Sequence, residues 1–394
     1  MISYGTSQLG TEHKRLERDC QDNFFIKVIG NYHVAVVADG LGSAVYSKTG
    51  SYEACEYAVN TITDLLNSGD VQDTVEIMKI AFSVACAEVL NQADAHEIPV
   101  NQFETTLSAV IADEKSITYG HVGDGGIAVL RPDGSFNLIT SRQNGLYEDS
   151  VFPLISKFNH CVFERIECDW NVIMMATDGM LKFLSAFSDN ENCVQYVSSF
   201  FNRAFSPTYA NKRQLESYLV RSLSDESLLT YVDDDRTLAF IVNESNPLNT
   251  SIKINLNDSI GSNAVSLEQS KIDSNLFTNT CKRFNIDTAL FIQHIQRFKI
   301  SFTDNLLTND EQSKKNQGAK HKFRFTAILI VVILILAVVL VLCTAIVGKK
   351  DSEASNDSSN ATSFTDTSDI VASVIIFSND ISFNNESDDN VFAE

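Results

Sequence analysis

The chain has 394 residues, an apolar fraction of 44% and a formal net charge of −21 at neutral pH. That charge argues against nucleic-acid binding, because phosphate backbones are bound by lysine and arginine, and an acidic protein that handles phosphate needs metal ions to reverse the local sign. Eight scattered cysteines without a Cys-x-x-Cys pair argue against a disulfide framework or a zinc ribbon and favour reduced, cytosolic thiols.

The predicted elements come in blocks rather than in strict alternation. Gly30-Asn31 separates two short apolar stretches, as in a β-hairpin, and the stretch Asn67 to Gly69 ends the first helical pattern. Strands in antiparallel hairpins and helices in groups predict an α+β fold rather than a βαβ alternation. The predicted strands are 23–29, 33–38, 104–112, 115–122, 126–131, 135–140, 161–168, 171–177 and 236–242, and the predicted helices are 44–67, 73–93, 189–204 and 210–223.

The C-terminal part of the chain differs in composition from the rest. Residues 244–324 begin rich in Asn and Ser and are predicted to be a linker, partly helical around 281–300. Residues 325–347 contain no charge and no proline, and at about 1.5 Å per residue they are long enough to cross a bilayer as one helix. Residues 348–394 are rich in Ser, Asn and Asp and are predicted to be a disordered tail.

Charges on either side of the apolar span predict its orientation. Five basic residues lie within 314–324, whereas Lys349 and Lys350 are the two that follow the span closely. The positive-inside rule therefore places the N-terminal bulk in the cytoplasm and the tail outside. Residues 1–21 lack the apolar core of a secretory signal, which agrees with that topology. We expect a single-pass membrane protein whose folded domain, 1–243, is cytoplasmic.

Aspartates recur where apolar runs begin or end. Asp39, Asp124 and Asp178 each precede a glycine at the end of such a run, and 233–235 is a run of three aspartates before a final strand. Several strand ends that carry carboxylates can form an oxygen-rich pocket for hard cations such as Mg²⁺ or Mn²⁺. A glycine after the aspartate permits a sharp turn and lets a backbone carbonyl reach a metal ion. Asp133, which follows a proline between two strands, is interpreted as a turn residue instead.

The order of these motifs resembles that of the metal-dependent PPM-type (type 2C-like) protein serine/threonine phosphatases, and more narrowly their bacterial branch. The resemblance covers residues 1–242, and the number and order of the motifs make it specific. The matching stretches are Gly10-Thr11-Glu12-His13, Cys20-Gln21-Asp22, Asp39-Gly40-Leu41-Gly42-Ser43-Ala44, Thr105-Thr106-Leu107, Val122-Gly123-Asp124-Gly125, Ala176-Thr177-Asp178-Gly179 and Asp234-Asp235-Arg236-Thr237-Leu238.

The resemblance implies a four-layer α-β-β-α sandwich of two antiparallel sheets flanked by helices, followed here by the single transmembrane helix. It also implies a binuclear site for Mg²⁺ or Mn²⁺ at one end of the sheets. Asp39 would bridge both ions, and the carbonyl of Gly40 would add a ligand. Asp178 and Asp234 would complete one ion. Asp124 would help to hold a third, weaker ion beside Asp178.

The implied reaction is hydrolysis of phosphoserine and phosphothreonine on proteins. Water that bridges two cations loses a proton near neutral pH and attacks the phosphorus in line, while the cations neutralise the phosphoryl oxygens. Asp22 would hold that water. The implied partners are phosphoprotein substrates, a cognate serine/threonine kinase, and the membrane through residues 325–347.

The chain departs from the family pattern near the reacting groups. Leu41 stands where many relatives have a histidine, so that turn supplies no general acid. His13 is the candidate for proton donation or phosphate contact because of its titration range, and the alternative is a surface or capping residue. Gln21 stands where many relatives have glutamate. The phosphate-binding arginine of relatives has no match at its usual spacing, which leaves Arg15 and Arg18 as candidates.

Two alternative functions stay open at this level. The departures at Gln21 and Leu41 favour a pseudophosphatase, which is a binding or sensor module with the same fold and little turnover. A different two-metal phosphohydrolase, acting on small phosphomonoesters, is the second alternative.

Within 233–235 the metal ligand could also be a neighbour of Asp234, although Asp234 matches the family spacing best. Residues 145–149 correspond to the flap beside the substrate in relatives.

Overall fold

A computed structural model of the protein describes residues 1–143, 151–186, 188, 191–205, 211–246, 251–259 and 263–302. Within these ranges, no helix has both the length and the apolar character needed to cross a membrane. The predicted flap 145–149, the predicted apolar span 325–347 and the predicted tail 348–394 lie outside the described residues.

Strands and helices are numbered here in chain order. The strands are β1 Ile2–Gln8, β2 Asp22–Ile29, β3 Tyr32–Asp39, β4 Leu107–Ala112, β5 Ser116–Val122, β6 Gly126–Leu130, β7 Ser135–Leu138, β8 Val162–Glu167, β9 Val172–Ala176, β10 Arg236–Val242, β11 Lys253–Ser259, β12 Val265–Ser266, β13 Lys271–Ile272 and β14 Ser301–Phe302. The helices are α1 Thr11–Arg15, α2 Ser47–Ser68, α3 Thr74–Ala95, α4 Asp178–Ala186, α5 Glu191–Ala204, α6 Lys212–Leu223, α7 Glu226–Leu229, α8 Ser274–Phe284 and α9 Ala289–Ile295.

The predicted strands and the four predicted long helices are confirmed, with ends that move by a few residues. Turn chemistry explains the accuracy. Gly30 has a φ of 56° in the turn between β2 and β3, and Gly69 ends α2 in the left-handed conformation with a φ of 67°. Strand β1 and helices α1, α4 and α7 were not predicted, because none of these short segments has a strong periodic pattern and α4 begins almost directly after β9.

Two six-stranded sheets form the centre of the fold. Sheet 1 has the order β1-β10-β9-β6-β7-β11, and sheet 2 has the order β12-β8-β5-β4-β3-β2. The prediction of two antiparallel sheets is right for all of these pairings except one. Strand β11 pairs with β7 in parallel, so sheet 1 is mixed. The exception is possible because β7 and β11 are separated by a long crossover rather than by a hairpin.

Side chains alternate between the two faces of each sheet and so define the layers. In β10, Ala239 and Ile241 point to a cluster between the sheets, whereas Leu238 and Phe240 point to a cluster with α4, α5 and α6. In β3, Val36 belongs to a third cluster that includes α2 and α3 on the outer face of sheet 2. Each sheet is therefore covered by helices on its outer face, as predicted.

Residues 253–259 and 263–302 pack against the sandwich. Strand β11 extends sheet 1 and β12 extends sheet 2, while α8 and α9 join the apolar cluster of α2 and α3. The ring of Phe291 in α9 lies 4.8 Å from that of Phe277 and 5.4 Å from that of Phe158. The stretch predicted as a partly helical linker does contain helices. Its described residues up to 302 are part of the folded domain rather than a free linker. The prediction of a linker relied on the Asn- and Ser-rich beginning of this stretch and gave too little weight to the apolar residues that follow.

We expect Phe291→Ala to lower the free energy of unfolding by about 3–5 kcal/mol, because it removes a fully buried ring from a packed contact. Urea unfolding followed by the fluorescence of the single tryptophan, Trp170, measures the change. Val265→Ala, at a strand position that is 43% exposed, is the control and should change stability by about 0.5 kcal/mol or less. Equal stability of Phe291→Ala and the wild type would show that α9 does not contribute to the fold.

His121 makes the fold sensitive to acid. It is fully buried in β5, with Nδ1 2.8 Å from the hydroxyl of Ser108, and burial lowers its pKa to about 4. An unfolded histidine titrates near pH 6.5, so between these values the unfolded chain binds a proton that the folded chain does not. The stability contribution is therefore complete above about pH 6.5 and is lost as the pH falls towards about 4.

The difference in unfolding free energy between the wild type and His121→Gln isolates this titration, because other groups titrate alike in both proteins. We expect that difference to shrink by about 3 kcal/mol between roughly pH 7 and roughly pH 4, measured by urea unfolding in a chelator. A difference that stays constant with pH would mean that His121 titrates with the same pKa in the folded and the unfolded state.

Candidate metal centre and active site

One end of the two sheets collects the predicted carboxylates. Asp22 begins β2 and Asp39 ends β3, and the two are direct partners in the antiparallel ladder. Asp178 begins α4 directly after β9, Asp234 precedes β10, and Asp124 lies in the turn between β5 and β6. The start of one antiparallel strand and the end of its neighbour lie at the same edge of a sheet, so stretches far apart in sequence meet here.

Mutual repulsion among these carboxylates shows in their pKa values. Burial, and then the charges of Asp22 and Asp178, raise the pKa of Asp39 well above its usual range. Burial alone would also raise the pKa of Asp178, but the hydrogen bond from Asp39 and the ammonium group of Lys182 outweigh it and lower that pKa. Burial and the charge of Asp178 raise the pKa of Asp124 to about 6.

Asp22 is held at the ends of the sheets by two threonines. The hydroxyls of Thr177 and Thr237 donate to its Oδ2 at 2.8 and 2.6 Å. Its other oxygen, Oδ1, is buried and receives no hydrogen bond from the part of the chain that the structure describes. Burial, and with it the charge of Asp235, raises the pKa of Asp22 well above its usual range. An oxygen with free lone pairs suits the predicted role of binding a water molecule.

The backbone around Asp39 and Gly40 is held by the Thr-Thr motif. The amide of Asp39 donates to Thr106 Oγ1 at 2.9 Å, and its carbonyl accepts from the Thr106 amide at 2.8 Å and from Thr105 Oγ1 at 2.9 Å. A Cβ on Gly40 would lie 2.6 Å from the carbonyl oxygen of Ser47, so only glycine allows α2 to begin this close to the strand end.

Asp235 organises the N-terminal motif rather than the carboxylate group. It is 2% exposed, and its Oδ1 accepts a hydrogen bond from the amide of Gly10 at 2.6 Å. Its Oδ2 accepts from the amide of Gln21 at 2.6 Å and lies 2.9 Å from His13 Nδ1. A single buried carboxylate thus holds together two stretches that precede β2.

The other two aspartates of the run have different surroundings. The side chain of Asp233 is exposed, while its carbonyl accepts from the amide of Glu12 at 2.9 Å. Asp234 is also exposed to solvent but lies near Asp178, and partial desolvation followed by the Asp178 charge raises its pKa. A Cβ on Gly179 would come within 3.3 Å of the Asp234 Cβ. Of the three, Asp234 is therefore the member of the carboxylate group.

The three candidate residues near the N-terminus, His13, Arg15 and Arg18, also have different surroundings. His13 is buried against Asp235, so it is not a surface residue. Arg15 is 68% exposed and pairs with Glu12 at 2.5 Å. Arg18 lines a cleft of about 400 Å³ beside the first motif, together with Lys48 and the turn after Gly40. The structure thus brings Arg18 to a cleft and leaves Arg15 at the surface.

Two positively charged side chains near the aspartates, Lys182 and Arg142, were not predicted from the sequence. Lys182 Nζ lies 2.5 Å from Asp178 Oδ2 and 4.0 Å from Asp124 Oδ2. Arg142 donates to the hydroxyl of Ser185 at 2.8 Å, and its charge also acts on Asp124. The spacing of four residues between Asp178 and Lys182 at the start of a helix was a usable signal, because such residues share a helix face. Nothing in the sequence marked Arg142.

The oxygen atoms at this end of the sheets are of the chemical type that hard divalent cations bind. Carboxylates and a glycine carbonyl are ligands that Mg²⁺ and Mn²⁺ prefer, and the buried Oδ1 of Asp22 has an unused acceptor capacity. Among the residues placed by the structure, no three or more His, Cys, Asp or Glu side chains form a ready ligand set. Lys182 is paired with Asp178 and lies near Asp124, so an ammonium group supplies positive charge at this end of the sheets.

A comparison with protein families decides the identity of this arrangement. The family model for protein phosphatase 2C matches residues 9–220, which is more than half of the chain. The chain belongs to the protein phosphatase 2C family. The matched range contains the metal-ligand candidates Asp39, Asp124 and Asp178, and it ends before the aspartate run at 233–235.

Three bacterial proteins are among those similar to this phosphatase 2C chain. Serine/threonine-protein phosphatase 3 of Escherichia coli K12 is 24% identical over 245 residues, covering 59% of this chain and 94% of that protein. The phosphatase PstP of Mycobacterium tuberculosis is 13% identical with a TM-score of 0.44, covering 61% of this chain and 98% of that chain. Stp1 of Staphylococcus aureus is 11% identical with a TM-score of 0.44, covering 61% and 94%.

Proposed function

We propose that this chain hydrolyses phosphoserine and phosphothreonine on proteins with two divalent cations, Mg²⁺ or Mn²⁺, held by Asp39, Gly40, Asp178 and Asp234. The observation that carries the proposal is the meeting of these separate stretches at one end of a phosphatase 2C sandwich. The two cations would supply a water molecule of lowered pKa and would neutralise the charge of the phosphoryl oxygens.

The chain's own residues then have distinct tasks. Asp22, whose Oδ2 is fixed by two threonine hydroxyls, keeps Oδ1 to accept a hydrogen bond from the attacking water and so orients it. Arg18 in the adjacent cleft binds the phosphate of the substrate. Asp235 fixes the ring of His13 through Nδ1, which leaves Nε2 to give a proton to the departing serine oxygen in place of the histidine that Leu41 replaces.

Release of inorganic phosphate tests this function directly. The full-length protein, purified in a mild detergent, is assayed on a phosphothreonine peptide, a nucleoside triphosphate and a small aryl phosphate, with Mn²⁺ and with excess chelator. We expect turnover of the peptide that requires the metal. Strong turnover of the nucleotide without the peptide would favour a small-molecule phosphohydrolase, and absence of turnover on all three would favour a pseudophosphatase.

We further propose that residues 325–347 anchor the enzyme as a single-pass membrane protein, with the catalytic domain in the cytoplasm and residues 348–394 outside. The supporting facts are the uncharged length of that span and the excess of basic residues before it. Its substrates would then be membrane-associated or cytoplasmic phosphoproteins, phosphorylated by a cognate serine/threonine kinase. Protease added to intact cells should remove the tail and spare the domain, and cleavage of the domain would reverse the orientation.

A further inference from the structure

We propose that the ammonium group of Lys182 occupies the place beside Asp124 and Asp178 that the family resemblance assigns to a third, weaker metal ion. This phosphatase would then use two divalent cations and one built-in positive charge. The inference rests on the proposed two-cation function and concerns the part of the site that the cations do not need to fill.

The position of Lys182 follows from helix geometry. Asp178 is the first residue of α4, and Lys182 lies one turn later on the same face, so their side chains meet. Its Nζ is 2.5 Å from Asp178 Oδ2, and it also reaches to within 4.0 Å of Asp124 Oδ2, which comes from the turn after β5. A divalent ion bridging these two aspartates would lie within a few ångströms of the ammonium group, and the like charges would repel each other.

A second cation strengthens this assignment. Arg142 is fixed by its hydrogen bond to Ser185 and interacts with both Asp124 and Asp178. The two carboxylates of this half of the site therefore face two fixed positive charges, Lys182 and Arg142. They are balanced by the chain itself and have little need of a further ion.

The other half of the site has a different charge balance. Asp22 and Asp39 are cross-strand partners at the ends of β2 and β3, and Oδ1 of Asp22 is buried without a hydrogen bond from the described residues. Asp234, which is exposed, adds a carboxylate next to Gly179. Neighbouring carboxylates repel one another unless positive charge lies between them, so this half of the site is where the two divalent cations would bind. The division explains why two ions suffice.

Metal stoichiometry tests the inference without relying on activity. Equilibrium dialysis of the full-length protein in detergent against Mn²⁺, up to millimolar free metal, should give two ions per chain. Lys182→Asp should bind three, with a third-site affinity at least about tenfold higher than any residual third site of the wild type. Adding Asp124→Asn to Lys182→Asp should return the count to two. Lys182→Gln removes the charge without adding a ligand and should bind a third ion more tightly than the wild type does, and an unchanged third-site affinity would contradict the role of the charge.

The control is Lys212→Gln, which removes a half-exposed lysine of another helix that pairs with Glu216 at the same spacing of four residues. It should bind as many ions as the wild type. Three ions on the wild type, or two on Lys182→Asp, would overturn the role of Lys182 and leave the proposed function standing. Failure of the wild type to bind two ions at all would overturn both.

Discussion

Asp39→Asn is expected to lower phosphatase activity by at least about a thousandfold. The asparagine keeps the shape of the side chain but removes the negative charge that the resemblance places between the two cations. The amide NH₂ would also point a donor at a position where a metal ion needs an oxygen ligand. Steady-state hydrolysis of a phosphothreonine peptide over a range of Mn²⁺ concentrations measures the loss, which added metal should not restore.

The same substitution should leave the metal-free protein at least as stable as the wild type. Burial and neighbouring negative charges hold the pKa of Asp39 above its usual range, so the ionised group destabilises the fold. A neutral asparagine removes that repulsion. Urea unfolding in a chelator, followed by Trp170 fluorescence, provides the measurement. A gain or no change in stability together with lost activity separates a functional residue from a structural one.

Asp133→Asn is the matched control for Asp39→Asn, because it changes the same residue type in another Asp-Gly pair. Asp133 is in the exposed turn between β6 and β7, where it accepts hydrogen bonds from Ser135. We expect unchanged phosphatase activity. Wild-type activity in Asp39→Asn, or a loss in Asp133→Asn as large as that in Asp39→Asn, would contradict the proposed metal centre.

The second large effect is expected at Asp235, where stability rather than chemistry depends on the carboxylate. Asp235→Ala leaves the buried amides of Gly10 and Gln21 without an acceptor and removes the partner of His13. Unsatisfied buried donors cost about 1–3 kcal/mol each, so we expect a loss of about 4 kcal/mol in unfolding free energy. Asp235→Asn keeps one oxygen but turns a donor towards these donors, and should cost about 2 kcal/mol.

The neighbouring aspartates supply the comparison for this prediction. Asp233→Asn changes an exposed side chain and should alter stability by about 0.5 kcal/mol or less. Asp234→Asn should reduce activity without reducing stability, because Asp234 is one of the mutually repelling carboxylates. Urea unfolding and peptide hydrolysis on all three variants give the full pattern. If Asp234 and Asp235 exchanged these effects, the ligand within the run would have to be reassigned.

Asp235 also links the stability of the N-terminal motif to the proposed proton transfer. Its carboxylate determines which nitrogen of His13 is available, so the loss of this contact should affect kcat more than it affects the metal requirement. That distinction follows from the geometry, because Asp235 binds His13, Gly10 and Gln21 and is not one of the carboxylates grouped around Asp39. Because Leu41 stands where many relatives have a histidine, we propose that this arrangement supplies the general acid.

The local chemistry of the sequence was sufficient to predict most elements of the sandwich and the stretches that meet at its end. Alternating apolar residues determined which face of β3 and β10 is buried, and glycines such as Gly30 and Gly69 marked the turns. Aspartate-glycine pairs at the ends of apolar runs pointed to the carboxylate group. These features are local in the chain, and pattern and turn chemistry report them directly.

Only the tertiary structure decided the burial and the contacts of each of those residues. Three consecutive aspartates are chemically alike, yet packing buries Asp235 under the N-terminal motif, leaves Asp233 and Asp234 exposed, and brings Asp234 close to Asp178. Lys182 becomes part of the site because Asp124 arrives from a different strand. Residues 253–259 and 263–302 join the sandwich through contacts with helices some two hundred positions earlier. Contacts of that sequence separation depend on the assembled fold, and no window of the sequence contains them.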